Sequence, residues 1–517
     1  MFGPITIRNR LLGGLIWLIS ALLVGCTTVG PDYREPDLAA LGEIEQDLYG
    51  VVVTVDSAQS SELSSWWLQY QDPTLTELIE IARQENPSLR IAGLRVVESR
   101  ALAAAAGATL YPQVQTVDAS VSGARRSEGP GKSGFRQWST GLSVGWELDF
   151  WGRFERIIES ADAAFENSLA NQRDAQVLLA AAVAETYWQY RTVEHRIDVL
   201  NDNADRQKRS YDITRQMFEA GQQSELDLQQ ARTQYLSTLA SLPALQLAEI
   251  QLRNALAVLL GRVPGDIPEL NPDLKPLPLV QQVPLAELPA LLIQRRPDVR
   301  AALWAVAAQS AQIGVAQAEY YPAIGLGGSL LRSGNSGPLG DSVTTLGLGS
   351  TLSWTVFDWG RIANNIRVQD ARLQLLIEQY RSTVLSAARE INDAVVAVEK
   401  TAEQRLLLEQ TVAASERALE LASARYREGY ADFQRVLDAQ RVVFSQADRK
   451  LQNDGAHLSA TVALFKALGG GWRPDQLASQ LPQATLEAMA ERTDWGDLLT
   501  APVVERIKPE EDVDAPK

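Results

Sequence analysis

One cysteine in 517 residues removes any internal disulfide framework and any multi-cysteine metal site. Two histidines, His195 and His457, and three methionines leave little material for histidine-based catalysis or a soft-metal relay. Basic charge is short as well: 48 Lys and Arg face 64 Asp and Glu, and a net −16 is the wrong sign for a nucleic-acid partner. No credible Ser/His/Asp layout, phosphate-cradling loop or metal-ligand cluster is present, so neither an enzyme nor a cofactor site is expected. The glycine-rich Gly325-Leu326-Gly327-Gly328 lies in a strand-like run with no helix after it, which makes it wall rather than phosphate site. With 22% charged and 45% hydrophobic residues, the chain is neither a disordered tail nor a polytopic helical membrane protein. What is abundant is alanine, leucine and glutamine, a mixture that suits long helices.

The first 25 residues have no acidic side chain; Arg8 and Arg10 precede the apolar run Leu11–Gly25. That is a secretory signal layout, shorter than a comfortable membrane span. It ends in Leu23-Val24-Gly25-Cys26, the form of a bacterial lipobox. A lone cysteine is ordinarily a buried structural residue; its place directly after the apolar run favours acylation. Cleavage before Cys26 would leave 492 residues and, without the two arginines, a charge of −18. Thr27 rather than Asp follows the cysteine, which points to the outer membrane, and covalent lipid on Cys26 would hold the chain there.

The chain reads as a duplication. Trp151-Gly152-Arg153 recurs as Trp359-Gly360-Arg361, 208 residues on, and Tyr111-Pro112 recurs as Tyr321-Pro322, 210 on. Asn86-Pro87 is echoed by Arg296-Pro297, Ala220-Gly221 by Glu428-Gly429, and Leu260-Gly261 by Leu468-Gly469. Such order at a near-constant offset predicts two copies of one unit, 72–261 and 287–470, after a lipidated extension 26–71. Between the copies, 262–286 is expected to be a linker: seven prolines fall between 264 and 289. The tail 471–517 is expected to be irregular and partly disordered.

Each copy has the same internal order. A helical stretch, Leu75–Leu110 or Pro297–Tyr320, ends at Tyr-Pro. Strands are expected at about 113–126 and 137–150, then at 323–332 and 343–357. In the second strand Trp138, Thr140, Leu142, Val144, Trp146 and Leu148 alternate with Ser139, Gly141, Ser143, Gly145 and Glu147. Small or polar partners and terminal tryptophans suit a transmembrane barrel strand; a half-buried strand of a soluble sandwich has the same period. Arg153–Phe218 and Arg361–Tyr426 contain no proline and would span roughly 100 Å as continuous helices. Ile377, Tyr380, Val384, Ala387, Ile391, Ala394 and Val398 step by three and four, as in a coiled coil. Val395, Leu406, Leu408 and Val412 supply a second apolar set, for a second neighbour. A dimeric rod would use these helices but not the embedded strand pairs.

These features together resemble the TolC-type outer-membrane efflux proteins, in the lipoprotein (OprM/NodT-like) branch that serves resistance–nodulation–division pumps. The resemblance is carried by Val29-Gly30-Pro31-Asp32-Tyr33-Arg34-Glu35-Pro36, Trp66-Trp67, Asp72-Pro73-Thr74-Leu75, Asn86-Pro87-Ser88-Leu89, Arg296-Pro297-Asp298-Val299-Arg300 and both Trp-Gly-Arg turns. Leu303 departs from the pattern, which often has an acidic residue there. The fold class implied is mixed α/β: a homotrimeric outer-membrane β-barrel, four strands per chain and twelve in total, continuous with a long periplasmic helical barrel. A trimer also answers a physical need, because four strands cannot close a barrel and an open edge in lipid is costly. Ser127–Gly134 and Ser333–Gly340 would be exterior loops. Implied partners are a periplasmic adaptor (membrane fusion) protein, an inner-membrane resistance–nodulation–division pump and outer-membrane lipid.

The resemblance assigns the periplasmic gate to the two helix-to-helix turns. Generic helical hairpins have such turns too, with glycine ending one helix and Ser224 or Asp432 capping the next. By resemblance Gly221, Gln222, Ser224, Gly429 and Tyr430 form adaptor-contacting tips. Asp227 matches the family's tip aspartate, Tyr426 a tyrosine that bonds it across neighbouring helices, and Asp438 one pore aspartate. Arg435 stands at the other ring position, and Ala431 where an arginine is common. Arg435 and Asp438 are therefore expected to make a mixed-charge collar. The implied function is a gated, passive duct for small molecules such as drugs and toxic compounds. The rivals are an exit duct for type I protein secretion and, in another class, a lipid-anchored coiled-coil scaffold without a pore.

Overall fold

The computed structural model of the chain describes residues 28–37, 63–126, 133–270, 275–278, 293, 295–335, 341–428, 430–473 and 481–499. Cys26 and the signal-like segment, most of the extension, both strand-loop tips, Gly429 and the acidic C-terminal stretch lie outside these residues.

The expected first helical stretch is two helices, α1 (Pro73–Glu85) and α2 (Pro87–Gly107). Asn86 breaks it: a proline follows, its backbone is extended, and its side chain accepts from the Leu89 amide at 3.1 Å. Asp72 starts α1 in the same manner, accepting from the Leu75 amide, with Pro73 at the first helical position. The first half then continues through β1 (Val114–Arg126), β2 (Ser133–Leu148), α3 (Arg153–Glu219) and α4 (Glu225–Leu259). The second half has α5 (Pro297–Ala318), β3 (Ala323–Gly334), β4 (Ser342–Ser353), α6 (Arg361–Arg427) and α7 (Phe433–Ala467). Helices α3 and α6 are both 67 residues long, and α4 and α7 both 35.

The Trp-Gly-Arg turns start the two long helices. Gly152 and Gly360 hold φ of 70° and 84°, where a side chain is strained. The Asp358 carboxylate accepts from the Gly360 and Ile362 amides, and Asp149 accepts from Glu155. The Val29-Gly30-Pro31-Asp32 segment docks here: the Val29 amide donates to the Trp151 carbonyl and Arg156 pairs with Asp32 at 2.7 Å. Gly30 lies flat on Gly314 of α5, so a Cβ on either glycine would collide with backbone.

The strands form one antiparallel sheet in the order β1-β2-β3-β4, leaving the outer edges of β1 and β4 unpaired among the described residues. β4 ends at Ser353, four residues short of expectation, and Trp354 donates its indole N–H to the Tyr320 carbonyl instead of extending the ladder. Register sorts the faces. Val117, Leu142, Leu330 and Leu346 stand opposite one another across all four strands, every one of them exposed. The neighbouring row on the other face is Thr116, Ser143, Ser329 and Gly347, and hydroxyl bonds of 2.7 Å join Thr116 to Ser143 and Ser120 to Ser139. Val114, Leu331 and Val343 are apolar exceptions there.

The core lies where the short helices wrap the middle of the long ones. Trp66, wholly buried, stacks on Phe465 of α7 with ring centroids 5.0 Å apart, and Arg83 lies over Trp67. A second cluster joins α5, α6 and α7. In it Tyr380, Val384, Ala387, Ile391 and Ala394 are buried as their spacing predicts, with Ile377 and Val398 at its border. Of the second apolar set Val395 and Leu408 are buried, Val412 is half-buried, but Leu406 is exposed, so that set is narrower than expected. Linker residues 262–270 and 275–278 are irregular, with Ile267 anchored in the core; the rest of 262–286 lies outside the described residues. The tail is more ordered than expected over 481–499. Leu481 packs at Gly93, α8 (Gln483–Arg492) comes next, and Arg100 of α2 bonds the Leu498 carbonyl.

Asp174 of α3 sits where α3, α5, α6 and α7 meet. Burial, and then the like charge of Asp298, push its carboxyl up to about 6 against the counter-pull of Arg296 and Lys466. The unfolded carboxyl titrates near 3.8, so stability falls as pH rises from about 4 through 6 and stays lower above that. Asp174→Asn is expected to remove this fall. Its advantage, about 1–2 kcal/mol after allowing for partial solvation, should emerge above pH 6 and vanish near pH 4. Melting temperatures of the two proteins across pH 4–8 check it; a constant difference would exclude Asp174 as the source.

Candidate functional site

The ends of the hairpins α3–α4 and α6–α7 are built alike. Helix α3 closes with the Gln222 amide donating to the Met217 carbonyl, around Gly221 at φ 72°. That left-handed closure is one a residue with a side chain adopts only at a cost. At the other tip the Tyr430 amide donates to the Arg425 carbonyl in the same way. Tyr430 is 82% exposed, and Gln222 and Ser224 are exposed beside it.

The two tips differ in how the next helix begins. Ser224 caps α4: its hydroxyl oxygen accepts from the Asp227 amide at 3.2 Å and its hydroxyl donates to the Asp227 carboxylate at 2.6 Å. Asp432 holds the equivalent place before α7 in extended backbone but makes no side-chain cap bond. The residue three positions on is Arg435 instead of Asp227. The expected Ser224 cap is therefore present and the expected Asp432 cap is not.

Tyr426 links the tips within one chain, by a different bond from the one the resemblance implied. Its hydroxyl accepts from the Gln223 side-chain amide at 2.7 Å, while Asp227 is held by Ser224. Burial, and then the nearby Asp227 charge, raise the Tyr426 phenol above its ordinary range, so it stays protonated and neutral. Its ring lies 5.3 Å from Phe433, over an apolar plug of Ala231, Phe433, Val436 and Leu437. Gln223 had no sequence signal beyond lying in the turn.

Arg435 and Asp438 are both exposed on α7 and do not pair in the single chain. Asp438 accepts from Gln434 at 2.9 Å and lies 3.5 Å from Arg441. Arg441 also bonds Gln234 of α4, and higher up Arg196 of α3 grips Asp448 of α7 through two nitrogens. These polar clasps hold the two hairpins side by side and were not legible in the sequence. Among the described residues there is no group of potential metal ligands, and no helix is long and apolar enough to cross a membrane.

A sheet apolar on one face, standing on helices of 67 residues with polar turns at their far ends, is the plan of an outer-membrane channel subunit. The chain belongs to the outer membrane efflux protein family, whose profile matches residues 78–262 and 288–470. It is 31% identical over 430 residues to the pyoverdine export outer membrane protein OpmQ of Pseudomonas putida, covering 82% of this chain and 91% of that protein. It is 30% identical to the toluene efflux pump outer membrane protein TtgC of Pseudomonas putida, covering 91% and 97%. Among solved structures, the outer-membrane channel OprN superposes with a TM-score of 0.77 at 33% identity, over 87% of this chain and all of that one.

The contrast between the tips is measurable. Ser224→Ala is expected to destabilise the start of α4 by about 1 kcal/mol, seen as faster hydrogen exchange of the amides at 226–228. Asp432→Ala should change exchange at 434–436 far less; equal effects would contradict the one-sided cap.

Proposed function

We propose that this chain forms, as a homotrimer, the outer-membrane duct of a tripartite efflux pump, passing small molecules from periplasm to exterior. As a family member it is the outer-membrane component of such a system, and an adaptor and an inner-membrane pump are its partners. The observation that carries the assembly is the sheet. It has two unpaired edges, an apolar face exposed from edge to edge and a polar, small-residue face behind it. Unpaired backbone groups in hydrocarbon cost several kcal/mol each, and about eight strands is the smallest barrel that closes. Three copies give twelve strands, with the polar face lining a wet lumen. The matched stretches 78–262 and 288–470, with helices of equal length, support reading the chain as two copies of one unit.

Lipidation of Cys26 fits this placement. Thr28, two residues away, donates to Glu155 at the strand-to-helix junction, which is the membrane level of the proposed barrel. The tips at 220–224 and 428–432 would then face the adaptor. Threefold symmetry would set Asp227 and Arg435, equivalent positions of opposite charge, alternately around the axis with Asp438 beside them. That arrangement makes the mixed-charge collar a contact between chains.

Light scattering of the detergent-solubilised protein should give three chains, and planar bilayers should show low-conductance channels. A non-conducting monomer would overturn the reading. Arg435→Ala and Asp438→Ala should each raise closed-state conductance and shift ion preference toward counter-ions of the charge left behind, cations for the first and anions for the second. Unchanged values in both variants would remove the collar and leave the duct.

A further inference from the structure

The apolar face of the sheet changes character one row beyond its leucines. From Val117–Leu142–Leu330–Leu346 toward the loop ends, the next row is Ala119–Thr140–Arg332–Thr344. Then come Val121–Trp138–Gly334–Ser342 and Gly123–Arg136. In the other direction, toward the helices, no charged residue stands on this face as far as Leu148 and Leu352. Both carboxylates of the strands, Asp118 and Glu147, lie on the opposite, polar face.

The Trp138 and Leu148 rows are ten residues apart along β2. That is about 33 Å at the usual rise, and about 25 Å in height for a strand tilted by about 40°. The lipid-facing band of an outer-membrane barrel has this height and is bounded by aromatic residues. Trp146 and Trp354 mark the helix-side rim, their indoles held on the Leu110 and Tyr320 carbonyls, and Trp138 marks the outer one. Arg332 starts one row lower, yet its Nε and Nη2 lie 3.4 and 3.2 Å from the hydroxyl of Ser342, in the Trp138 row. The guanidinium therefore reaches up to the rim, and its Nη1 has no partner among the described residues. Arg136 is exposed one row above, and Asp341, directly before β4, pairs with neither arginine.

A single arginine at a membrane rim needs only water around its head group. Two on adjacent strands, beside one indole and with no acid on their face, repel each other until an anion joins them. Phosphate fits the place, because a guanidinium offers parallel N–H donors to two of its oxygens. The hydroxyls of Thr140, Ser342 and Thr344 share these rows, and the leucines directly below suit acyl chains. We infer that Arg136 and Arg332 form a docking site for the phosphate of an outer-leaflet lipid, whose acyl chains run down the Leu142–Leu330 band. The inference rests on the barrel proposed above, which turns this face to lipid.

The test titrates the detergent-solubilised full chain with dioleoylphosphatidic acid, dioleoylglycerol and inorganic phosphate, and reads bound ligand by native mass spectrometry. Phosphatidic acid should bind. Dioleoylglycerol has the same chains without phosphate, and inorganic phosphate has no chains; each should bind at least about tenfold more weakly. Arg136→Gln with Arg332→Gln should lower the phosphatidic acid affinity about tenfold, and the double lysine variant should lower it less. Arg417→Gln, on an exposed arginine of α6, should leave it unchanged. Arg136 and Arg332 are both exposed, so the variants are expected to fold, and wild-type conductance in planar bilayers confirms their assembly. Conducting channels whose phosphatidic acid affinity is unmoved by the double glutamine change, or matched by dioleoylglycerol, would overturn the lipid site and leave the duct. A wild-type protein that forms no channel would overturn both.

Discussion

A peptide group in hydrocarbon has no water to bond, so every strand placed in lipid must be paired along both edges. This chain meets that demand three times, at β1–β2, β2–β3 and β3–β4, and leaves the outer edges of β1 and β4 open. The rest of the architecture depends on that shortfall. The apolar row Val117–Leu142–Leu330–Leu346 is suited to lipid only if the sheet curls so that the serine and glycine face is enclosed. The long helices start directly below the sheet, at Gly152 and Gly360, and so inherit whatever ring the strands adopt. In the proposed trimer, closure of twelve strands and closure of the helical tube are one event.

The two halves share their element order and helix lengths, which in the proposed trimer would let them alternate around one ring. Helix lengths of 67 and 35 are held in both halves, since a residue gained or lost in one hairpin would put its tip out of level with the other. At the tips matching positions carry different chemistry: Asp227 closes a reciprocal cap with Ser224, while Asp432 makes no side-chain cap bond and Arg435 is exposed. The backbone plan is shared by the two halves and the side chains at their tips differ.

Much of the scaffold is legible in the residues. Alternation in 138–148 gives the sheet faces directly, because side chains on a strand alternate with period two. The spacing from Ile377 to Val398 marks the buried stripe of α6, and the two glycines of Trp-Gly-Arg are left-handed helix starts. Sequence and structure part where one residue has several possible partners. The helical pattern of 75–110 runs straight through Asn86, although it and Pro87 end one helix and begin another. Resemblance pairs Tyr426 with Asp227, yet Gln223 reaches the phenol first, and Ser224 has already engaged the carboxylate. Composition makes the tail irregular, but the small surface of Gly93 receives Leu481, and a helix is ordered directly after it.

Periodicity, repeats and the helix-starting prolines and glycines act over a few residues, and short-range sterics and hydrogen bonding make them readable one segment at a time. The sequence by itself therefore determined most of the elements, their order, the main apolar faces and the family. Which side chains share a bond depends on helices separated by two hundred residues, as with Arg196 and Asp448 or Gln223 and Tyr426. No local rule orders those contenders, since each is a polar residue with several acceptable partners. Only the tertiary structure decided among them, by fixing which groups lie within three ångströms of one another.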